Sequence, residues 1–430
     1  MRNLHKICFM TAPFEATIEF ARFQDQSDKL SSFKNRFHFP VHHGKPVIYF
    51  CGNSLGLQPK TVSEAIDIEL QSWREIAVGG YFKGANPWLY YQEYLKASLA
   101  KMVGALENEV TVMNALTVNL HLLMLSFYKP KAKRTKIIME AGAFPSDQYA
   151  VETLVKYYDL NPDEHIIELF PKSGKKTLET TDILSTIEAN KDSLAMVLLG
   201  GINYYTGQFF DIDAITKATH EVGAIAAFDL AHVVGNIPLQ LHDWNVDFAV
   251  WCSYKYLNGG PGAVGGVFVH EKHATNRDTP RLAGWWGNDE KERFKMEKGF
   301  IPKQNASGWN ISTSQVFNSA ALKASLAIFD EAGIDLIRKK SIALTGYLEF
   351  LLNRLTNLDF EIITPSNPQE RGAQLSLFFK EKGKQIHQAM LDNGIIVDYR
   401  EPGVIRVAPA PLYCSFEDVY RFYEILNTIH

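Results

Sequence analysis

The sequence predicts an α/β fold, a mostly parallel, doubly wound sheet accompanied by a smaller α+β domain. Three observations carry this. At 430 residues the chain is long for a single core, so two domains are expected. From about residue 108 short apolar runs alternate with stretches of helical spacing, the pattern of strand–helix–strand units. Beyond about residue 310 that alternation gives way to one long helical pattern followed by weaker strand signals.

Taken in order, residues 1–59 read as an irregular arm that contributes to the smaller domain. It holds a short strand, Val47-Ile48-Tyr49-Phe50, and then Gly52-Asn53-Ser54-Leu55-Gly56. Residues 60–312 form the large domain. Its helical patterns lie around 60–77 and 90–105, then near 117–127, 146–158, 181–190 and 213–221. Its strands are expected at 110–113, 136–140, 195–199, 224–229, 248–251 and 266–270. Residues 313–430 form the small domain: a helical pattern over 314–355, strands at 373–379, 395–398 and 404–407, and helices near 383–392 and 415–428. Pro365, Asn367 and Pro368 mark a loop inside it. No internal repeat or low-complexity segment is present.

Composition narrows the function. Hydrophobic residues make up 46% and charged residues 21%, an ordinary globular balance. With a formal net charge of −4 and no long basic run, nucleic-acid binding has no support. Cys8, Cys51, Cys252 and Cys414 are far apart and form no CxxC pair, which points to reduced thiols in a cytoplasmic protein. Glu15 and Glu19 interrupt the N-terminal segment, so no signal peptide is expected. No apolar stretch approaches the ~18 residues of a membrane span.

The chemistry centres on Ser253-Tyr254-Lys255. Asp229 ends one apolar run, and a second, Phe248-Ala249-Val250-Trp251, leads into the lysine. Two buried strands would deliver an acid and an amine at neighbouring carboxyl ends of one sheet, where open α/β sheets bind ligands. A lone lysine after a strand is ordinarily a surface residue. Here Trp251, Tyr254 and Tyr256 flank it, and an apolar setting favours a nucleophilic amine. The pair suits pyridoxal phosphate, which needs a lysine to attach it and an acid to hold its ring nitrogen protonated. Asp229 alone reads equally as a helix cap, and His232 alone as a core histidine near the same cofactor. Asn114-Ala115-Leu116-Thr117 joins a strand to a helix expected from Val118. It reads as a phosphate cradle or as an ordinary threonine cap. Phe144-Pro145-Ser146-Asp147 places an aromatic beside a strand end, fit to stack on a flat ring or simply to turn. Arg406, inside the apolar Val404-Ile405-Arg406-Val407, requires a partner. A bidentate carboxylate is the natural one, from the protein or from an amino-acid substrate.

Two patterns are set aside. Gly260-Pro261-Gly262-Ala263-Val264-Gly265 satisfies G-x-G-x-x-G, but a strand rather than a helix follows it, so no dinucleotide site is expected. His270-Glu271-Lys272-His273 and His42-His43 lack a nearby carboxylate or cysteine set in sequence, and solvated histidines rather than a metal site are expected.

A series of strings resembles the kynureninase family: Gly52-Asn53-Ser54-Leu55-Gly56-Leu57, Met113-Asn114-Ala115-Leu116-Thr117-Val118-Asn119, Phe144-Pro145-Ser146-Asp147, Tyr205-Thr206-Gly207-Gln208, Phe228-Asp229-Leu230-Ala231-His232, Cys252-Ser253-Tyr254-Lys255-Tyr256-Leu257-Asn258, Gly284-Trp285-Trp286-Gly287 and Ile405-Arg406-Val407-Ala408-Pro409. They run in order from about residue 48 to the C-terminus. The resemblance implies an aspartate-aminotransferase-like, pyridoxal-phosphate fold and a homodimer that hydrolyses L-kynurenine to anthranilate and L-alanine. Such a reaction fits tryptophan breakdown and NAD biosynthesis alike. It implies that Lys255 attaches the cofactor and that Asp229 partners the ring nitrogen. Leu116, Thr117 and Tyr254 hold the phosphate region, Phe144 stacks on the ring, and Asp147 and His232 complete the shell. Trp285 and Thr313 reach the phosphate from the neighbouring subunit. Arg406 binds the substrate carboxylate, Ser54 lines the substrate side, and Tyr254 is the proton shuttle. Kynureninases that prefer 3-hydroxykynurenine carry His where this chain has Tyr81, and Asn where it has Thr313. That leans toward kynurenine, with the 3-hydroxy substrate open. The competing expectations are a cysteine desulfurase, which would need Cys414 mobile and reactive, an aminotransferase, and a non-catalytic protein on the same scaffold.

Overall fold

The computed structural model describes residues 13–429, so Cys8 lies outside the described residues. Its large sheet has seven strands: β1 (Val110–Met113), β2 (Lys136–Glu140), β3 (Ile166–Leu169), β4 (Leu194–Gly200), β5 (Ile225–Asp229), β6 (Phe248–Trp251) and β7 (Gly265–Val269). Their spatial order is β1-β7-β6-β5-β4-β2-β3. Neighbours from β3 to β6 pair in parallel, and β7 runs antiparallel to both β6 and β1. Helices Leu116–Phe127, Pro145–Tyr157, Thr180–Ala189 and Ile212–Glu221 join the strands. The central strands are apolar along their length because both faces are covered. Val197, Leu199, Ala226, Phe228 and Ala249 enter one core, and Met196, Leu198, Ala227, Phe248 and Val250 the other. Strand β3 is an addition to the sequence expectation. It is an edge strand in which only Leu169 is buried and Glu168 is exposed, so no apolar run announces it.

A second sheet contains β8 (Glu361–Ile362), β9 (Leu375–Phe378), β10 (Asp398–Arg400) and β11 (Val404–Val407), ordered β8-β9-β11-β10 and antiparallel throughout. Three expectations need correction here. The 395–398 strand is broken: Ile395–Ile396 pairs in parallel with Ile48–Tyr49, and β10 starts separately at Asp398. The 314–355 pattern is two helices, Val316–Ala332 and Ile334–Leu352, because Gly333 takes φ +75° between them. The arm is not wholly irregular. It holds a helix, Ile18–Ser27, whose Thr17 cap accepts from the Phe20 N–H at 3.2 Å and which buries only Phe20 and Ala21. The Asp25 carboxylate then accepts from the N–H groups of Phe416 and Glu417 at 2.8 and 2.9 Å, docking the arm on the last helix.

The histidines 270 and 273 are not solvated. Asp247, at the amino end of β6, is buried and binds His220 Nε2 (2.8 Å), His273 Nε2 (2.7 Å), Lys272 Nζ (2.8 Å) and the Ala226 N–H (2.8 Å). Glu109, buried just before β1, binds His242 Nδ1 at 2.9 Å and the Glu271 N–H at 2.8 Å, while its other oxygen takes the Leu106 N–H. His270 Nδ1, 3.7 Å from Glu109, accepts the Lys272 N–H. Glu109, His242 and His270 stand close enough to suggest a metal site, yet each of these atoms already serves a hydrogen bond. The carboxylate partners are invisible in sequence because they come from 26 or more positions away, on other elements.

Candidate active site

Strands β5 and β6 are parallel neighbours, so Asp229 and the loop following Trp251 leave the same edge of the sheet. Lys255 is half-buried there. Its Nζ lies 2.9 Å from His232 Nε2 and 5.8 and 5.9 Å from the ring centres of Phe144 and Tyr254. The loop is fixed by backbone: the Gly259 N–H donates to Ser253 O at 2.8 Å, and the Gly56 N–H to Tyr254 O at 2.8 Å. A Cβ at Gly56 would sit 2.4 Å from Lys255 O, so only glycine lets the arm approach the lysine loop this closely.

The helix Leu116–Phe127 opens at the carboxyl end of β1. Ala115, at its cap position, offers no side-chain acceptor, so the first N–H groups are free for an anion. Thr117 is the second helical residue, not the cap. Its Oγ1 is 2.7 Å from Ser146 Oγ, which brings a second hydroxyl to the same place. Leu116, Thr117, Phe144 and Asp147 share one cleft with Asp229, His232, Tyr254 and Lys255. The α-helix cap alternative for Asp229 fails, since no helix follows it. Its Oδ1 instead accepts the Ala231 N–H at 2.8 Å.

The cleft's electrostatics are unbalanced. Burial raises the Asp229 carboxyl, and Lys255, the Ala231 N–H and Asp147 only partly offset it. Burial, with the charges of Asp229 and Glu140, pushes Asp147 well above the usual carboxylate range. Burial likewise pushes Glu140, at the end of β2, up to about 7 despite the Gly200 N–H at 3.0 Å. Burial and the neighbouring cation Lys255 hold His232 well below its ordinary value, so it is neutral. Burial and Cys252 raise the Tyr254 hydroxyl, which stays protonated. Asp147 Oδ1 and His232 Nδ1 are buried without a partner. An excess of buried acid, orphaned polar atoms and an uncapped helix with two hydroxyls fit a group that carries a cationic ring and a phosphate. The donor set therefore suits pyridoxal phosphate.

Arg406 is fully buried in β11, and the protein supplies the carboxylate it requires. Asp398 Oδ1 accepts from its Nε at 3.0 Å, and Asp398 Oδ2 pairs with the charge at Nη2, 2.8 Å away. Nη2 also donates to Ser54 Oγ at 3.0 Å, and Nη1 to Tyr204 O at 2.9 Å. Tyr204 lines the Lys255 cleft and packs edge-on against Phe144, so the arginine corner adjoins the cleft. Trp285 and Thr313 are exposed and Tyr81 packs on Trp88. Within one chain these three are not brought to the cleft. Glu140, Ser146, Tyr204 and Asp398 are additions that the sequence reading did not single out.

Comparison with known proteins agrees with this architecture. A cysteine desulfurase of Thermococcus onnurineus superposes with a TM-score of 0.74 at 19% identity, over 89% of this chain and 94% of that one. A C-DES variant with glycine covalently linked to its PLP cofactor gives 0.74 at 17%, over 89% and 97%. At such identities the likeness is one of fold. Cys414 itself is buried, its thiol raised by burial and donating to Tyr49 O at 3.3 Å, which is not the mobile cysteine a desulfurase needs. Residues 337–426 match the kynureninase C-terminal domain. A kynureninase of Dictyostelium discoideum is 48% identical over 424 residues, 94% of each chain. One of Flavobacterium psychrophilum is 51% identical over 417 residues, spanning 96% of this chain and 98% of that protein. Identity of this order, sustained over nearly the whole length and joined to a cleft built for a phosphorylated cationic ring, means that the chain belongs to the kynureninase family.

Proposed function

We propose that the chain is a pyridoxal-phosphate-dependent hydrolase that cleaves the Cβ–Cγ bond of L-kynurenine to give anthranilate and L-alanine. The observation that carries the reading is the convergence of Lys255, Asp229, neutral His232 and the uncapped Leu116–Phe127 helix on one sheet edge. The cofactor, when bound, supplies an electron sink for negative charge at the substrate Cα. Asp229 provides the buried anion that keeps a ring nitrogen protonated, and Phe144 offers a face for stacking. Leu116 and Thr117, with Ser146, would hold a phosphate through N–H and O–H groups. Lys255 would attach the cofactor, and its Nζ is the group that would take up and carry the substrate Cα proton. Tyr254, protonated and beside that amine, serves as proton donor at its hydroxyl. Arg406 and Ser54 hold the substrate carboxylate.

The domain limits 1–59, 60–312 and 313–430 belong to this reading, as does a homodimer that shares its sites. Trp285 is 48% exposed in the single chain and Trp73, Val78 and Met296 are exposed too, large apolar side chains of the kind a second copy would cover. A cytoplasmic location is supported by the free thiols of Cys51, Cys252 and Cys414. No described helix is long and apolar enough to cross a membrane.

The test is an anthranilate fluorescence assay with added pyridoxal phosphate, run on L-kynurenine and on 3-hydroxy-L-kynurenine. Anthranilate from the first with little 3-hydroxyanthranilate from the second supports both the activity and the substrate preference read from Tyr81 and Thr313. The reverse preference overturns the second alone. No product from either substrate, from protein carrying the cofactor's absorbance, overturns the activity.

A further inference from the structure

Asp398 meets two guanidinium groups at once. Besides Arg406, it accepts from Arg400 Nη2 at 3.1 Å, with Arg400 Nε in charge contact at 2.9 Å, and Ser54 Oγ–H donates to its Oδ2 at 2.5 Å. Burial works to raise this carboxyl. The hydrogen bond and charge of Arg406, then Ser54 and Arg400, override burial and hold it below the ordinary range.

Geometry then decides what is left for a ligand. A guanidinium has five N–H donors. On Arg406, the Nε hydrogen goes to Asp398 Oδ1, one Nη2 hydrogen goes to Ser54 Oγ and one Nη1 hydrogen goes to Tyr204 O, while Nη2 also stands 2.8 Å from Asp398 Oδ2 as an ion pair. The side-on face is therefore occupied by a protein carboxylate, and one Nη1 hydrogen stays free near the Ser54 hydroxyl. An incoming carboxylate that takes the Nη2 hydrogen from Ser54 Oγ, together with the remaining Nη1 hydrogen, leaves the Nε bond to Asp398 in place. Charge matters equally. Arg406 and Asp398 alone would cancel, and Arg400, half-exposed at the rim, restores one net positive charge to the corner.

Resting on the activity proposed above, we propose that Asp398 is a positioning residue that locks the Arg406 fork end-on toward the cleft. With Arg400 it tunes the corner to a ligand bearing a single carboxylate. Asp398 is then neither a competitor of the substrate nor a mere structural ion pair.

The test uses the cofactor-loaded protein and two unreactive probes: the deaminated analogue of kynurenine, which keeps the carboxylate, and its primary carboxamide. Their Kd values are measured by calorimetry, so no turnover is needed. Wild type should prefer the carboxylate by about tenfold or more, the scale of a close charge pair. Asp398→Asn should lose about tenfold of that preference, with carboxamide affinity unchanged, and Asp398→Glu should restore part of it. Arg400→Gln should weaken the carboxylate alone, by about threefold, as suits a rim charge. Tighter carboxylate binding in Asp398→Asn would make Asp398 a competitor, and equal weakening of both probes would make it structural. Either result overturns the proposal. A wild-type protein that turns over kynurenine yet binds both probes equally would remove Arg406 from carboxylate recognition and the proposal with it. A wild type with no turnover of kynurenine overturns the activity instead.

Discussion

The two ends of the same parallel strands treat buried acids in opposite ways. At the carboxyl ends, Glu140, Asp147 and Asp229 crowd one cleft whose basic side chains are Lys255 and the neutral His232, and burial leaves all three carboxyls raised. At the amino ends, Asp247 has two histidines, a lysine and a backbone N–H, and these override burial and hold it far below the usual range. One end is satisfied within the chain and serves stability. The other is left short of positive charge, a deficit that a cationic ligand would fill. That is how a functional cluster differs physically from a structural one, even when both are buried carboxylates on one sheet.

Substitutions at each end should separate the two roles. Lys255→Ala should remove at least ~10⁴-fold of turnover, the upper range for a positioned proton-transfer group, while leaving thermal unfolding nearly unchanged. A variant that keeps wild-type rates would remove the chemistry from this end. Asp247→Asn should do the reverse. It breaks a buried, paired charge and should cost roughly 3–5 kcal/mol at pH 7 by chemical denaturation, with kcat retained below the unfolding midpoint. Its folded carboxyl is depressed from an ordinary 3.8, so the contribution is full above that pH and is lost as pH falls through the folded value.

Glu140→Gln should carry the opposite sign. The folded carboxyl, raised from 4.5 to about 7, favours folding below pH 4.5, and that advantage disappears as pH rises through 7. The cofactor-free variant should therefore gain up to ~3 kcal/mol over wild type at pH 8 and nothing near pH 4.5. A loss at pH 8 would show that Glu140 is better satisfied than its surroundings suggest. The smallest effect is expected for His220→Ala. Asp247 keeps His273, Lys272 and the Ala226 N–H, so about 1 kcal/mol should be lost, seen as a modest fall in Tm.

What the sequence made legible follows the same division. The runs ending in Asp229 and leading to Lys255 are apolar because both sheet faces are covered, and such runs can be read without a structure. Eight of the residues singled out, from Leu116 to Lys255, share the cleft. Residues whose meaning depends on a partner far along the chain were not legible. Asp398 is an unremarked acid until Arg406 and Ser54 close around it, and His273 looks solvated until Asp247 is placed beneath it. The half-exposed edge strand β3 and the break at Gly333 escaped for a local reason: periodicity weakens where one face is wet, and it runs unbroken across a single residue of positive φ.

The Arg406 corner joins Ser54 to a residue 352 positions later, and the neighbouring Asn53 amide reaches Gln374 across 321. During synthesis the strands bearing Asp229 and Lys255 emerge long before the arginine exists. A nascent chain can therefore organise the phosphate cradle while its specificity for an amino acid is still unwritten. The final loop closure, among the longest the chain makes and so slow to find, completes recognition last.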